Sequence, residues 1–313
     1  MTAGIAAAEV TFSGTANFGY NDTDHTNGAS ASNPFSAMDL NIAFSKELDN
    51  GYTAAASVEL DYADGNQGND ITATDALISL TNADSGIHYG DTKHAAENAW
   101  SSVGSMDNDA FRAADGEMVT RADMTLGGAK VSVSLGDDTN LTTATPPGTE
   151  TDYMSLGITG TAGAFTYALA AQNANTAWLD NDDNSAASQQ SITGVRVSTT
   201  WDGATVALGH ATNDNGGSTS VEVSYPTGVF TTTASYVAEG ATGAEANWDV
   251  KVVYAEGAMG LTVATDESND WNVDVSYDMG NDMNLFIGAD DGGRDTHAGL
   301  SYDLGGDASL LAS

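Results

Sequence analysis

The sequence predicts an all-β protein built as a transmembrane antiparallel β-barrel of roughly 16–20 strands. Two features of the sequence support this fold. Apolar and polar residues alternate in about nineteen short segments, and consecutive segments are joined by short turns and longer Asp/Asn/Gly/Ser-rich loops in turn. Successive side chains of a strand point to opposite faces, so each segment has one apolar and one polar face. Short turns on one side and long loops on the other are typical of membrane barrels.

The opening segment shows the alternation most clearly. From Val10 to Tyr20 the even positions are apolar or glycine, whereas the odd positions between them are polar or glycine. Later segments repeat the pattern in pairs across dipeptides that tolerate positive φ, which are typical of hairpin turns. These dipeptides are Asn50-Gly51, Gly127-Gly128, Asp202-Gly203 and Glu256-Gly257.

The composition excludes several classes of protein. The 313 residues include 44 acidic and only 8 basic side chains, which give a formal net charge of -36, so a nucleic-acid partner is not expected. No cysteine is present, which excludes disulfides and thiolate metal sites. An apolar content of 41% argues against disorder. No apolar run approaches the ~20 residues of a spanning helix, whereas a spanning strand needs only about 9–11.

The aromatic residues favour a membrane barrel over a soluble sandwich. Most of them fall at strand ends on the apolar face, as in the girdles at membrane–water interfaces. These residues are Tyr52, Tyr62, Tyr89, Tyr167, Trp201, Tyr225, Tyr236, Trp248, Tyr254, Trp271, Tyr277 and Tyr302. A soluble fold would instead bury Ser, Thr, Asn and Asp side chains, at about 1–3 kcal/mol for each unpaired group. A water-filled lumen removes this cost.

The chain divides into two parts. Residues 1–8 end in Ala6-Ala7-Ala8, which resembles a cleavage site, so we interpret them as the remnant of a secretory signal peptide. Residues 9–313 form the predicted barrel. The chain stops part-way through an apolar segment at Ser313. Because an open sheet edge is not tolerated in lipid, we expect the C-terminal strand of the barrel to be missing.

The longest interruption of the strand pattern runs from Asp91 to Glu117 and is called the long loop. Residues 93–100 predict a short helix within it. An acidic stretch follows, with Asp107, Asp109, Asp115 and Glu117. A loop of this length is usually functional or disordered, so these residues are candidate site residues.

Three phrases of the sequence resemble the general porins of Gram-negative bacteria, particularly the alphaproteobacterial (Rhodobacter-type) porin family. The phrases are residues 9–14 (EVTFSG), residues 87–91 (IHYGD), which lead into the long loop, and residues 299–309 (GLSYDLGGDAS). The resemblance in pattern extends over essentially the whole chain. It implies an outer-membrane channel through which small hydrophilic solutes diffuse passively, inserted among outer-membrane lipid and lipopolysaccharide and assembled as a homotrimer.

The resemblance also implies that the long loop is the third loop, that it folds inward and that it narrows the pore. Its charged residues would then line the constriction and face bases on the barrel wall. The constriction residues would be Asp107, Asp109, Arg112, Asp115 and Glu117. By strand parity, the bases on the lumen wall are Arg121, Lys130, Arg196 and Lys251. The resemblance leaves open a structural Ca²⁺ held by loop carboxylates; no other cofactor is expected.

The lumen wall is predicted to be acidic and the channel therefore to prefer cations. By parity, the inward positions carry Asp39, Glu59, Asp61, Asp123, Glu222, Asp249 and Asp274. Carboxylates in a narrow channel with walls of low dielectric constant concentrate cations.

Two other classes of function fit the sequence less well. A secreted acidic β-rich structural or adhesive protein, such as a calcium-binding or surface-layer module, would need Asp at fixed offsets in short repeats. The loops here vary in length instead. An enzyme is not expected, because the five histidines share no metal-ligand spacing and no Gly-x-Ser-x-Gly nucleophile turn is present.

Overall fold

The computed structural model describes residues 9–21, 33–63, 71–113, 118–137, 153–173, 190–240, 244–290, 296–305 and 308–312. Within these ranges the chain forms nineteen strands of one antiparallel sheet and one short helix. The elements are β1 (Glu9–Asn21), β2 (Asn33–Glu47), β3 (Thr53–Ala63), β4 (Ile71–Thr81), β5 (Ser85–Gly90), α1 (Ala95–Ala99), β6 (Met118–Leu126), β7 (Ala129–Asp137), β8 (Tyr153–Ala162), β9 (Phe165–Gln172), β10 (Ile192–Trp201), β11 (Ala204–Asn213), β12 (Gly216–Thr227), β13 (Phe230–Glu239), β14 (Asn247–Glu256), β15 (Met259–Asp266), β16 (Trp271–Gly280), β17 (Met283–Asp290), β18 (Thr296–Gly305) and β19 (Ala308–Ala312).

The chain divides into two compact units. The first contains the described residues up to 98 and those from 112 to 157, and therefore strands β1–β7 and the beginning of β8. Each of β1 to β6 pairs in antiparallel fashion with the next strand along the chain. The register places Leu40 opposite both Gly14 and Leu60, so the apolar residues of neighbouring strands share one face.

The second unit contains residues 99–111, 158–173 and the described residues from 190 onward. Strands β9 to β19 pair consecutively and in antiparallel fashion. This meander of neighbouring hairpins matches the alternation of the sequence, and the predicted count of about nineteen segments is confirmed.

The short turns use the backbone conformations that their residues favour. In the β10–β11 turn, Asp202 and Gly203 have φ values of 50° and 82°. In the β16–β17 turn, Asn281 and Asp282 have φ values of 52° and 64°. Two consecutive residues with positive φ match the right-handed twist of the strands that they join, which explains why Asp, Asn and Gly occupy these positions.

Burial in both units is the reverse of that in a soluble protein. In β7, Val133 and Leu135 are 50% and 45% exposed, whereas Ser132 and Ser134 are each 3% exposed. In β11, Leu208 is 56% exposed. We call the exposed side the apolar face and the opposite side the polar face. An extended apolar surface of this kind needs an apolar medium, because its exposure to water would cost about 25 cal/mol per Å².

Two expectations from the sequence concern the ends of the chain. The signal-peptide remnant falls on residues 1–8, which lie outside the described residues. At the other end, β19 pairs with β18 and places Leu310 opposite Tyr302. The expected absence of a further C-terminal strand stays a prediction. In the described ranges, none of the helical structure is long and apolar enough to cross a membrane.

We expect a charge on the apolar face to be far more costly than the same charge on the polar face. Leu208→Arg should destabilise the protein in lipid by about 2–4 kcal/mol, as for an arginine near the bilayer midplane. Thr205→Arg adds the same side chain to the opposite face of β11 and should cost much less. Urea titration of folding into lipid vesicles measures both, and equal losses would contradict the assignment of the faces.

Candidate functional site

The first end of the long loop is attached to the polar face of the first unit. The backbone N–H of Ala95 donates to Ser134 Oγ at 2.9 Å, and that of Ala96 donates to Ser155 Oγ at 3.0 Å. These two amides open α1 and have no partner within the helix, so the serines of β7 and β8 cap it. His94, which is fully buried, packs edge-on against Tyr153 with ring centroids 4.5 Å apart.

A network of basic residues around one carboxylate lies beside this attachment. Asp123 is 3.2 Å from His88 Nε2, 3.3 Å from Arg121 Nε and 4.0 Å from Lys130 Nζ. Arg121 also donates through NH1 to the carbonyl oxygen of Lys93 at 2.8 Å. The predicted wall residues Arg121, Lys130 and Asp123 are thus brought together, and Asp123 offsets part of the positive charge of the two bases.

The predicted constriction residues have different surroundings in the structure. Asp109 is almost fully buried and accepts hydrogen bonds from Trp100 Nε1 at 2.9 Å and Ser102 Oγ at 2.5 Å, all within the long loop. Arg112 is 4% exposed, and its guanidinium carbon lies 5.2 Å from the centre of the Tyr153 ring. The side chains of Asp109 and Arg112 are therefore engaged in contacts within the protein, and their place in the constriction stays a prediction. Asp115 and Glu117 lie outside the described residues.

Asp107 lies at the exposed middle of the long loop. Partial desolvation and the nearby Glu239 carboxylate raise the pKa of Asp107 above its ordinary value, and a hydrogen bond with Asn247 opposes the shift. The resemblance implied that the loop carboxylates face bases. In the second unit, Asp107 instead faces another acid, because Glu239 ends β13 on the polar face.

The middle of the long loop packs closely against the polar face of the second unit. Val103 and Met106 form a small buried cluster with Ala207, Ala211 and Val237. The close approach requires glycine on the wall: a Cβ on Gly209 would lie 3.0 Å from Val103 Cβ, and one on Gly194 would lie 2.5 Å from the Trp100 ring. Each part of the loop thus lies on the polar face of its own unit.

The remaining wall residues that were predicted also lie on the polar face. Their cross-strand register places Asp39 directly opposite Asp61, and Asn41 opposite Glu59. Asp39 accepts a hydrogen bond from Thr15 Oγ1 at 2.7 Å. In the second unit, Arg196 is opposite Gly209 and half-buried, Lys251 is exposed, and Asp274 lies 3.5 Å from His297 Nε2.

An acidic cavity of about 600 Å³ lies on the polar face of the second unit. The long loop contributes Ser102, Gly104 and Ser105 to its lining, and strands of the wall contribute the charged side chains. These charged residues are Glu222, Asp249, Lys251, Asp266, Asp270 and Asp290. Five carboxylates therefore surround one lysine, and Asp249 and Asp266 are direct cross-strand neighbours. Over the described ranges, no group of three or more His, Asp or Glu side chains could hold a metal ion.

Sequence reasoning missed Glu239, Ser218, Ser134 and Ser155, which hold the loop in place. Their periodicity places them on the polar face, but it does not say which polar residues meet the loop. The small residues Gly194, Ala207, Gly209 and Ala211 were a usable signal. Small residues at successive inward positions of β10 and β11 indicate that another segment approaches the wall there.

An antiparallel sheet with an exposed apolar face and a polar face covered by a long loop defines a channel-forming membrane β-protein. The chain belongs to the Gram-negative porin family, whose model matches residues 1–313. It is therefore an outer-membrane porin that forms a water-filled channel for small hydrophilic solutes. Porins generally need no cofactor.

Solved structures with the same fold come from the porin of Rhodopseudomonas blastica. A triple mutant of that porin is 16% identical, with a TM-score of 0.57, and the alignment covers 90% of this chain and 100% of that chain. A second engineered variant is 17% identical, with a TM-score of 0.58 and the same coverage. This likeness confirms the antiparallel β-barrel fold. A search of curated protein sequences finds no match.

The raised pKa of Asp107 predicts a pH-dependent effect of replacing it. A carboxyl group whose pKa is raised in the folded state destabilises that state at neutral pH, and the penalty disappears below its ordinary value of 3.8. Asp107→Asn should therefore raise the temperature at which heat-modifiable gel mobility is lost at pH 7. This increase in temperature should vanish below about pH 4, where the Asp107 carboxyl group is protonated in both the folded and the unfolded state. An equal increase at both pH values would contradict the raised pKa of Asp107.

Proposed function

We propose that this porin is a cation-preferring diffusion channel. The observation that carries the proposal is the acidic cavity, where five carboxylates outnumber the single base Lys251. In a channel whose walls have a low dielectric constant, excess negative charge raises the local concentration of cations and lowers that of anions.

The register of the strands supports the same conclusion. Asp39 lies opposite Asp61 in the first unit, and Asp249 lies opposite Asp266 in the second. Like charges directly opposite each other destabilise a sheet, so counterions from solution would stabilise these pairs. The bases of the first unit contribute less to the field, because Arg121 and Lys130 both lie within 4.0 Å of Asp123.

We also propose that the porin functions as a homotrimer among outer-membrane lipid and lipopolysaccharide. The support is its membership of the Gram-negative porin family, together with the strongly exposed apolar side chains Phe12, Phe18 and Tyr20 of β1, which need a lipid or protein neighbour.

The assembly can be tested in planar lipid bilayers. Insertion of one trimer should produce three equal conductance levels, which close in three steps at high voltage. Unheated protein should also migrate on a detergent gel as a species larger than the heated monomer. Single steps together with an unheated band at the monomer position would contradict the trimer.

Selectivity can be tested by the reversal potential across a KCl gradient. The unmodified channel should show a potential of cation-selective sign. This potential should shrink at high salt, because the screening length falls from about 10 Å at 0.1 M to about 3 Å at 1 M. A potential of anion-selective sign would exclude the proposal.

Two variants of the acidic cavity should move the reversal potential in opposite directions. Lys251→Gln removes its only base and should increase the preference for cations, whereas Glu222→Gln removes one of its carboxylates and should decrease it. Asp49→Asn, in the turn between β2 and β3, is the control for a loss of charge at a residue that does not line the cavity, and it should have little effect. Equal shifts of the reversal potential for Asp49→Asn and Glu222→Gln would contradict a role of the cavity in the preference for cations.

A further inference from the structure

The middle of the long loop is held by one carboxylate of the wall. Glu239 Oε1 accepts a hydrogen bond from the backbone N–H of Asp107 at 3.1 Å, and Oε2 accepts one from Asn108 Nδ2 at 2.9 Å. Ser218 Oγ donates a third, also to Oε2, at 2.5 Å. The first two attach the loop directly, and the third joins two neighbouring strands of the wall. Hydrogen bonds to an ionised acceptor are about twice as strong as neutral ones, so the Glu239 carboxylate is a strong attachment point for this part of the loop.

Ser218 extends this attachment to a second strand. Its Oγ accepts the backbone N–H of Asn108 at 3.1 Å and lies 3.0 Å from Asn108 Nδ2. Ser218 is fully buried and Asn108 is 4% exposed, so water does not compete for these bonds. Ser218 and Glu239 are direct cross-strand neighbours in β12 and β13. The positions of both acceptors are therefore set by the sheet.

Other residues of the wall also make polar contacts with this part of the loop. Asn247 forms a hydrogen bond with the Asp107 side chain, and Ser220 Oγ donates to Met106 Sδ at 3.4 Å. Asp249 accepts one hydrogen bond from the loop, from Ser105 Oγ at 2.9 Å, and Asn247 Nδ2 donates one to the carbonyl oxygen of Ser105 at 3.0 Å. Glu239 accepts two hydrogen bonds from the loop. It does so beside the Asp107 carboxylate, whose charge repels that of Glu239 and opposes this attachment. The loop stays in place because these hydrogen bonds outweigh that repulsion.

We infer that Glu239 is a positioning residue, which holds the middle of the long loop against the polar face and thereby sets the width of the aqueous path. The inference goes beyond the proposed cation preference, because it concerns the position of the loop and not the sign of the field. A loop released from Glu239 would move between docked and undocked positions, and the conductance would fluctuate between two levels.

Single-channel recording of Glu239→Gln tests the inference. The glutamine keeps the size of the side chain but places an amide group where donors of Asp107, Asn108 and Ser218 converge. We expect the fraction of time in the second conductance level to rise about tenfold, the factor that corresponds to about 1.4 kcal/mol. Glu245→Gln is the matched control, since Glu245 is an exposed carboxylate in the same β13–β14 connection and should leave the fluctuations unchanged.

A disulfide can replace the attachment, because the chain contains no cysteine of its own. Asn108→Cys and Ser218→Cys, combined with Glu239→Gln, should form a steady channel when oxidised and a fluctuating one when reduced. Should the triple variant fail to fold, the two cysteine substitutions alone, with Glu239 intact, test whether fixing the loop to the wall steadies the channel. The oxidised form should fluctuate less than the reduced form, which keeps the Glu239 hydrogen bond from the Asp107 N–H but loses the one from Asn108 Nδ2. Heat-modifiable gel mobility verifies folding in each case.

Three results would overturn the inference: steady currents in Glu239→Gln, equal fluctuations in Glu245→Gln, or fluctuations that persist after the disulfide has formed. The reversal potential of the same channels reports separately on the cation preference. A channel of anion-selective sign whose fluctuations depend on Glu239 would exclude the proposed selectivity and leave the positioning role intact.

Discussion

In hydrocarbon, a backbone N–H or C=O group without a hydrogen-bond partner costs several kcal/mol, and no water is present to provide one. The antiparallel pairing of β1 to β7 and of β9 to β19 provides these partners. Once the backbone is paired in this way, side chains can point only to the two faces of the sheet. Lipid on one face and water on the other then explain the reversed burial, in which Leu135 is exposed while Ser134 of the same strand is covered by protein.

The long loop has its own requirement, because its backbone crosses the polar face outside the sheet and needs other partners. The wall provides them through short polar side chains, such as Ser134 and Ser155 at the first end of the loop and Ser218 at its middle. Close contact also needs space, which Gly194 and Gly209 leave by having no side chain. The position of the loop therefore depends as much on small wall residues as on the loop itself.

The charges of the polar face are arranged unevenly along the chain. The bases Arg121 and Lys130 of the first unit gather around Asp123, whereas Lys251 of the second unit lies among five carboxylates. Asp107 and Asp109, which the resemblance assigned to the constriction, have different surroundings: Asp109 accepts hydrogen bonds inside the loop, and Asp107 lies next to Glu239. Both the wall and the loop thus contribute carboxylates to the polar face.

Alternation along the chain was sufficient to predict the strands, their number and the face on which Asp61 and Asp249 lie, because the side chains of a strand have a period of two. The turn at Asp202-Gly203 was predictable as well, because a short turn needs residues that tolerate positive φ. A local rule of this kind cannot say which of many serines and carboxylates meets a segment more than a hundred residues away. Only the tertiary structure brings Asn108 to Ser218 and Glu239, and only it separates the buried Asp109 from the exposed Asp107. The physical reason is that contacts over long sequence distances depend on register and packing, which the period of a single strand does not encode.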